Sequence, residues 1–356
     1  MFRIGLVGLG SAARNIHLPA CHGIAEVVIV GGVDIAATSE VSIPRFASLG
    51  DLVSKGKPDV IIIATPPASH VPLAIDALRA GCHVFLEKPI APSLAEARIL
   101  CREARKSNRK VAVNNEFRFM ACHAAAHRLI GSPEFGELRF LHLYQAFRVD
   151  SATEAGWRGQ ETERTGTEFG IHALDLARFF FASEPRFMRS WMAGSSAAAG
   201  PDMLNLVDLD FGDGRFARIT LDRLTKGRHR YLECRLDGTE ATIETELGGA
   251  LELQFGVRAA TRRPFFNGDF SAGGRAFLWR GENRRKLASD GFNLFADATR
   301  KLLRAFLLSI RDETVPPCSL DDNFRSFALM RAAYDAARER RDVDVAALYQ
   351  DDGSDD

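Results

Sequence analysis

The chain has 356 residues, of which 46% are hydrophobic and 26% charged, and its 46 basic residues balance 46 acidic ones. This length suits two domains better than one. The balanced charge argues against nucleic acid or an acidic membrane surface as a partner. No apolar run is long enough to span a bilayer, and a strand pattern begins at Phe2 with no signal peptide before it. Six scattered cysteines without a Cys-x-x-Cys pair predict a cytoplasmic protein with reduced thiols and no metal site.

A glycine-rich turn follows the first strand pattern. The apolar run 4–7 ends in Gly8-Leu-Gly10-Ser-Ala-Ala13, and a helix pattern covers residues 14–22. In such a turn the glycines allow the backbone to approach a pyrophosphate, whose charge faces the helix N-terminus. With Ala13 in the third small position, the spacing predicts a dinucleotide-binding site.

The second strand pattern, 27–33, ends in Asp34. A carboxylate at this place would accept hydrogen bonds from the adenosine ribose. No arginine stands next to Asp34 to bind a 2′-phosphate, so NAD is expected and NADP is less favoured. The segment 34–43 is short for a crossover helix, which predicts a loop or a single turn there.

Two further strand patterns, 59–64 and 82–86, precede Thr65-Pro66 and Glu87-Lys88-Pro89. Carboxyl ends of parallel strands meet at one edge of a sheet, so Thr65 and Lys88 should share a crevice with Gly8. Proline holds Lys88 in an extended conformation. A surface lysine at the end of an ordinary strand is the structural alternative. Helix patterns at 69–80 and 93–107 and a strand at 110–114 complete the alternation.

The remainder of the chain has a different pattern, which divides it into a first domain (1–118), a second domain (119–350) and a disordered tail (351–356). The strand patterns predict an open, mostly antiparallel sheet flanked by helices, an α+β domain after the α/β domain. Residues 256–293 are basic and aromatic without a clear period; they could bind a sugar phosphate or nucleotide sugar, or form a solvated loop or subunit contact. The predicted strands are 137–149, 203–209, 215–222, 231–237 and 239–245, and the helices are 119–130, 295–311 and 322–340.

His172 is the candidate general base. Apolar residues recur at helical spacing over 171–181, which places His172 in the first turn of a helix. The helix macrodipole there disfavours an imidazolium, and a neutral imidazole can take an alcohol proton. A capping or core histidine is the structural alternative. Asp175, one turn on, could orient His172 or lie on the helix surface.

These motifs together resemble the glucose–fructose oxidoreductase/inositol dehydrogenase (Gfo/Idh/MocA) family. The resemblance covers roughly residues 1–185 and includes Ala64-Thr-Pro-Pro-x-x-His70, Glu87-Lys-Pro89, Trp157-Arg158 and Gly170-Ile-His172-x-x-Asp175. It implies a Rossmann-type domain, a sheet domain, and a homo-oligomer, either a dimer or a tetramer. It also implies a cis bond at Lys88-Pro89. The cofactor-binding residues would then be Gly8, Gly10, Ala13, Asp34, Thr65, Pro66, His70, Glu87 and Lys88.

The resemblance also assigns roles to three residues. Lys88 would polarise the reacting oxygen and His172 would act as acid and base. Glu168 stands where the family usually has aspartate, which could place the substrate differently or alter the activity. The implied function is NAD-dependent hydride transfer at a secondary carbinol of a sugar, polyol or cyclitol. An NAD-dependent glycosidase and a non-catalytic dinucleotide sensor are the alternatives.

Overall fold

The computed structural model describes residues 1–36, 41–148, 162–194, 201–257 and 262–349, which form two compact units. The first unit contains Met1–Phe119, Phe295–Asp335 and residues 346–349. The second contains Met120–Leu294 and Ala336–Val345. The expected domain limits, 1–118 and 119–350, remain predictions from the sequence. Trp157, Arg158 and the tail 351–356 lie outside the described residues.

The first unit is built on a parallel sheet, as the alternation of strand and helix patterns predicted. Its strand order is β2-β1-β3-β4-β5, and every neighbouring pair runs parallel. Short Val- and Ile-rich runs form β3 and β5 because both faces of these strands are buried. The bounds are β1 Phe2–Val7, β2 Val27–Val33, β3 Val60–Ile63, β4 His83–Leu86 and β5 Val111–Val113.

The described part of the chain includes three π-helical turns, a rare geometry that is often found at functional sites. Two of them contain expected site residues: Ala13–His17, which continues into α1, and Gly166–Gly170, which continues into α6. The third, Leu52–Gly56, follows α2. The helices are α1 Leu18–His22, α2 Leu49–Asp51, α3 His70–Arg79, α4 Leu94–Ser107, α5 Ala121–Leu129, α6 Ile171–Phe181, α7 Leu294–Arg311, α8 Leu320–Glu339 and α9 Val345–Leu348, and 3-10 turns cover Pro67–Ser69 and Glu116–Phe119.

The second unit contains a nine-stranded sheet in the order β15-β14-β11-β10-β6-β9-β8-β7-β16. Among its described strand pairs only β6 and β9 are parallel, so the expected open, mostly antiparallel sheet is confirmed. Helices α5 and α6 pack against the sheet. The bounds are β6 Leu138–Ala146, β7 Phe187–Gly194, β8 Asp202–Gly212, β9 Arg215–Asp222, β10 Arg230–Gly238, β11 Thr242–Leu247, β12 Ala250–Val257, β13 Pro264–Ser271, β14 Gly274–Arg280, β15 Asn283–Asp290 and β16 Val343–Asp344.

The sequence pattern missed several strands of the second unit. Residues 256–293, which showed no clear period, contain β13, β14 and β15. The strand expected at 239–245 begins later, at Thr242, because Gly238 donates to the carbonyl of Ala241 in a tight turn. Strands β12 and β13 form a separate two-stranded ribbon.

The core of the first unit draws on α7, which is far from the sheet in sequence. Four residues of α7 at spacing i, i+1, i+4, i+5 form its apolar stripe, and Phe306 packs on Phe85 of β4 with ring centroids 5.8 Å apart. The sheet side chains packed in this cluster include Ile4, Leu6, Val60, Ile62 and Phe85, and those of α7 are Leu302, Leu303, Phe306 and Leu307.

Two expectations from composition concern the whole chain. All six cysteines lie in the described segments, where each is a buried thiol that takes part in no disulfide. Burial raises the pKa of the Cys21 thiol to about 12, so this thiol is kept in its neutral form. Among the described residues, no helix combines the length and hydropathy that a bilayer crossing requires.

His83 at the start of β4 makes stability depend on pH. Its Nδ1 accepts a hydrogen bond from the backbone N–H of Lys110 at 3.0 Å, which requires that nitrogen to be unprotonated. Burial, followed by the charges of Arg109 and Lys110, lowers the pKa of His83 to about 4. Below the ordinary histidine pKa of about 6.5, the unfolded chain therefore binds a proton that the folded chain does not.

We expect the free energy of unfolding to fall as the pH decreases from about 6.5 to about 4, with His83 contributing on the order of 2 kcal/mol. Urea unfolding across this range, on the wild type and on His83→Gln, measures the effect. The variant should lose part of the pH dependence, and His22→Gln, at an exposed site, should keep it. A His83→Gln curve parallel to that of the wild type would contradict the assignment.

Candidate functional site

The glycine turn after β1 has the shape of a dinucleotide cradle. Gly8 has φ +90°, and a Cβ there would lie 2.5 Å from the carbonyl oxygen of Ala64. A Cβ on Gly10 would meet no protein atom within 4 Å. Helical backbone begins at Ser11, earlier than the expected residue 14, so its free N–H groups follow Gly10 directly. The first glycine thus shapes the turn, and the second leaves open space where a pyrophosphate can approach.

Asp34, which follows β2, connects the glycine turn to the segment after β2 through two hydrogen bonds. Its Oδ2 accepts from the backbone N–H of Leu9 at 2.6 Å, and its Oδ1 accepts from Ala36 at 2.7 Å. Each carboxylate oxygen has a second lone pair, which a ribose hydroxyl could use. The position therefore fits the predicted role of Asp34 at the adenosine end.

An arginine does lie near this end, although none is adjacent in sequence. A β-bridge pairs Gly32 with Arg45, and the Arg45 guanidinium donates to the Ala36 carbonyl at 2.8 Å. The sequence next to Asp34 therefore does not show that an arginine lies near this end in space. Asp34 still opposes a 2′-phosphate at this position.

The three expected strand ends lie at one edge of the sheet. Val7, Ile63 and Leu86 are aligned across β1, β3 and β4. The residues that follow these strands, including Gly8 and Lys88, therefore share the carboxyl edge, where open α/β sheets bind ligands.

His70 has a different position from the one expected for a cofactor-binding residue. It is fully buried, with Nδ1 2.8 Å from the Pro89 carbonyl oxygen and Nε2 2.8 Å from the Thr65 carbonyl oxygen. Burial lowers the pKa of His70, outweighing these carbonyls and the charge of Glu87, so the neutral ring donates to one oxygen at a time. His70 joins the loop after β3 to the chain after Lys88, and its contacts are those of a positioning residue.

The loop that His70 holds contains Thr65 and Pro66. The hydroxyl of Ser69 donates to Thr65 Oγ1 at 2.8 Å. Pro66 is extended and leads into the 3-10 turn Pro67–Ser69. Both residues thus occupy an ordered loop at the sheet edge, as the cofactor assignment requires.

Glu87, directly before Lys88, is held by two side chains that the sequence did not reveal. Its Oε1 lies 2.7 Å from His17 Nε2 and accepts from Asn114 Nδ2 at 2.9 Å. Burial raises the pKa of Glu87, but the hydrogen bond and charge of His17, the charge of Lys88 and the bond from Asn114 together lower it below its usual value. The carboxylate therefore stays ionised, and the Lys88–Pro89 bond that follows is cis, as the resemblance implied.

In the second unit, Glu168 and His172 lie on one helix, but His172 is not in its first turn. Helical backbone begins at Arg164 and passes through the π-helical turn Gly166–Gly170 before α6. The expectation was wrong because the apolar period starts only at Ile171, whereas a carboxylate from β8 caps the helix earlier. The macrodipole decays within the first turn, so the effect expected from it at His172 does not apply.

That capping carboxylate belongs to Asp202. It accepts from the backbone N–H groups of Arg164 at 2.6 Å, Thr165 at 2.8 Å and Gly166 at 3.3 Å. Asp202 is buried and also accepts from Asn205 Nδ2 at 2.7 Å. One residue of β8 thus satisfies the free donors at the start of this helix.

Glu168 and His172 are four residues apart and share a helix face. His172 is buried, while the Glu168 side chain is 16% exposed and lies 3.6 Å from Arg164 Nε. Asp175 is buried 3.9 Å from Arg178, so the helix-surface alternative for Asp175 was wrong. The helix therefore presents a carboxylate with a partial counter-charge beside a buried imidazole.

We expect Gly8→Ala and Gly10→Ala to separate folding from cofactor binding. In Gly8→Ala a Cβ would collide with backbone and force a left-handed conformation, so the free energy of unfolding should fall by more than about 2 kcal/mol. In Gly10→Ala the fold should be unchanged, but the new methyl group should weaken NAD binding by at least ~10-fold because it enters the cofactor's space.

Thermal unfolding and calorimetric titration with NAD measure the two effects. Gly227→Ala is the control, because its Cβ would meet no atom closer than 3.6 Å, its backbone is not left-handed, and it lies in the other unit. Unchanged NAD affinity in Gly10→Ala would contradict the placement of the pyrophosphate.

Known proteins resemble both units. The NAD-binding Rossmann-fold model of the GFO_IDH_MocA oxidoreductase family matches residues 2–115, and the GFO/IDH/MocA C-terminal domain matches residues 123–244. The chain is 26% identical to D-apiose dehydrogenase of Paraburkholderia graminis, over 98% of this chain and 90% of that protein. It is 27% identical to the rhizopine catabolism protein MocA of Rhizobium meliloti, over 62% and 71% of the two chains.

Among solved structures, an oxidoreductase from Agrobacterium radiobacter in complex with NAD+, L-tartaric acid and magnesium superposes with a TM-score of 0.80. The match has 20% identity and covers 98% of this chain and 99% of the other, so it supports the fold. The family models, together with the cradle at Gly8 and Gly10, assign the reaction class. The chain belongs to the Gfo/Idh/MocA family and is an NAD-binding oxidoreductase.

Proposed function

We propose that the protein transfers hydride between NAD and a secondary carbinol of a sugar, polyol or cyclitol. The observation that carries this proposal is Lys88, which follows β4 at the same sheet edge as the glycine turn. Named relatives favour such a substrate: one is a D-apiose dehydrogenase and another a glucose-6-phosphate 3-dehydrogenase. Bound NAD would supply the hydride acceptor.

In this proposal Lys88 donates a hydrogen bond to the carbinol oxygen. An ammonium there stabilises the negative charge that grows on oxygen as hydride leaves carbon. Glu87 supports the role by fixing the end of β4 through His17 and Asn114. Glu87 also accepts a hydrogen bond from the Lys88 backbone N–H at 3.3 Å, and its negative charge lies near the Lys88 ammonium. One carboxylate therefore contacts the backbone of Lys88 and interacts with its charge.

His172 takes the carbinol proton in the oxidative direction, and Glu168 accepts a hydrogen bond from a neighbouring substrate hydroxyl. Burial of His172 removes competing water from the base. Arg164 Nε lies 3.6 Å from the Glu168 carboxylate and places a positive charge beside it. Glutamate in place of aspartate at position 168 is therefore compatible with an active site.

The cytoplasmic location and the homo-oligomer, a dimer or a tetramer, belong to this proposal as well. Six buried thiols that take part in no disulfide support a reducing compartment. The balanced charge supports a small-molecule substrate over nucleic acid.

We expect Lys88→Met to keep NAD affinity within about threefold while turnover falls by ~10³-fold or more. The reason is that the change removes the charge next to the reacting oxygen and leaves the glycine turn intact. Steady-state rates on a responsive sugar or polyol, together with NAD titration, measure both. Lys106→Met on α4 is the control and should match the wild type. Undiminished turnover in Lys88→Met would refute the role of this lysine.

His172→Gln and Glu168→Gln should differ in which kinetic constant changes. Loss of a general base should lower kcat by ~10² to 10⁴-fold and remove the acidic limb of its pH profile. Loss of a charged acceptor for a substrate hydroxyl should instead raise KM by ~10-fold or more. Glu168→Asp should recover most of the affinity, and His142→Gln on β6 should change neither constant. If both variants showed the same fall in kcat and the same rise in KM, the two substitutions would share a structural effect and the separate roles would be contradicted.

Two alternatives predict different products. An NAD-dependent glycosidase would release free sugar without net NADH, and a sensor would bind NAD without turnover. Product analysis alongside NADH absorbance separates these outcomes in one assay.

A further inference from the structure

A cavity of about 450 Å³ opens on the nine-stranded sheet of the second unit. We call it the sheet cavity; its walls come from β6, β10, β11 and β14, from β15, and from the segment before β10. Its volume falls in the usual range of small-molecule sites, roughly 300–1,000 Å³. Five of the lining side chains are arginines, namely Arg228, Arg230, Arg235, Arg275 and Arg284.

The charged side chains of the sheet cavity lie on the side of the sheet away from α5. Successive residues of a strand point to opposite sides, and Cys234 of β10 points to α5, where its Sγ lies 3.9 Å from His123 Nε2. The next residue, Arg235, therefore points to the other side. The helix α6 lies beside α5, with the Phe180 ring 6.1 Å from that of His123. The sheet cavity and the helix that carries His172 are thus on opposite sides of the sheet.

Arg284 and Trp279 form one end of the sheet cavity. They are directly opposed on β15 and β14, so both side chains point to the same side. The Arg284 guanidinium lies 4.6 Å from the ring centroid of Phe277 and 5.8 Å from that of Trp279. A guanidinium that lies over a ring still carries its N–H donors along its edge. Trp279 Nε1 is buried and has no acceptor among the residues that the structure describes. This end therefore presents donors, which suit the oxygens of an anion.

The other end of the sheet cavity contains carboxylates. Glu246 lies 2.5 Å from Arg275, and Glu233 lies 2.5 Å from Arg230. Arg275 and Trp279 are four residues apart on β14, which separates the two ends by roughly 13 Å. Each carboxylate oxygen has a second lone pair that a ligand hydroxyl can use. This end is a row of opposed residues across β6, β10, β11 and β14, which are Tyr144, Glu233, Glu246 and Arg275.

The charges around His142, which lines the sheet cavity, also favour an anion. Burial, followed by the charges of Arg218 and Arg235, lowers the pKa of His142, although Asp208 and Glu233 act in the opposite direction. The five arginines of the cavity outnumber its three glutamates. Two of these arginines also contact aspartates outside the cavity wall, so the excess of positive charge is small and suits a single anionic group.

We propose that the sheet cavity binds a phosphorylated sugar, with its phosphate at Arg284 and Trp279 and its hydroxyls at Glu233 and Glu246. A phosphate monoester offers three acceptor oxygens, enough for the guanidinium fork and the indole N–H together. Trp279 and Arg284 belong to the basic and aromatic segment 256–293, so this ligand is one of the alternatives stated for that segment. The site does not depend on hydride transfer at His172.

The test is calorimetric titration of the full-length protein, saturated with NAD, with ribose 5-phosphate. Bound NAD occupies the glycine turn, so the added phosphate group cannot bind there. Arg284→Met should weaken the affinity by at least ~10-fold because it removes the guanidinium fork. Trp279→Phe loses only the indole N–H and should weaken it by about threefold or more. Arg285→Met is the matched control, since Arg285 points to the other side of β15, where it lies 2.5 Å from Glu134, and it should keep the wild-type affinity.

Ribose and inorganic phosphate, titrated separately, test the two ends of the sheet cavity. Each should bind at least ~10-fold more weakly than ribose 5-phosphate, because each contacts only one end. If Arg284→Met does not unfold cooperatively, Arg284→Lys replaces it with the same expected weakening, since lysine keeps the charge but lacks the fork. The proposal is overturned if the wild type does not bind ribose 5-phosphate, if either part alone binds equally well, or if the Arg284 variant keeps the wild-type affinity.

Discussion

The first unit depends on the hydrogen bonds that satisfy the buried carboxylate of Glu87. Removing an ion from water costs several kcal/mol, and this cost is offset only when its lone pairs are satisfied. His17 from the turn after the glycine loop and Asn114 after β5 both contact the same oxygen. Asn114 in turn accepts from Thr299 of α7 at 3.2 Å, so the contact network reaches a helix from the far end of the chain. The Glu87 carboxylate therefore links the glycine turn, the end of β4 that carries Lys88, and α7 through a chain of hydrogen bonds.

In the other unit, the carboxylate of Asp202 likewise joins segments that are far apart in sequence. Asp202 caps the helix of Glu168 and His172 from outside that helix, so the position of both residues follows from β8. The π-helical turn Gly166–Gly170 lies between the capped start of this helix and His172, and it includes Glu168. Residues carried on a packed helix with a satisfied N-terminus are held more precisely than residues on a loop. Each unit therefore presents its expected chemical groups from an ordered element.

The features that could be predicted were those encoded by neighbours in sequence. Gly8, Gly10 and Asp34 follow strands at recognisable spacing, and the parallel and mostly antiparallel sheets followed from two different alternation patterns. The contacts of His17 with Glu87 and of Arg45 with Ala36 join residues 70 and 9 positions apart, and no local pattern encodes them. The start of the His172 helix was missed because Asp202, its cap, lies 38 residues beyond Arg164. The ribbon was missed although apolar residues occupy every second position of β12, a strand signal that could have found it.

The most direct test of the central claim is transfer of a labelled hydrogen. A panel of sugars, polyols and cyclitols is assayed with NAD and with NADP, and a responsive substrate is then prepared with deuterium on its carbinol carbon. The expected result is stoichiometric deuterium in the NADH formed, together with a carbonyl product, and slower reaction with NADP because of Asp34. Reduced cofactor without deuterium, or NAD binding without reduction by any substrate of the panel, would contradict direct hydride transfer at a carbinol.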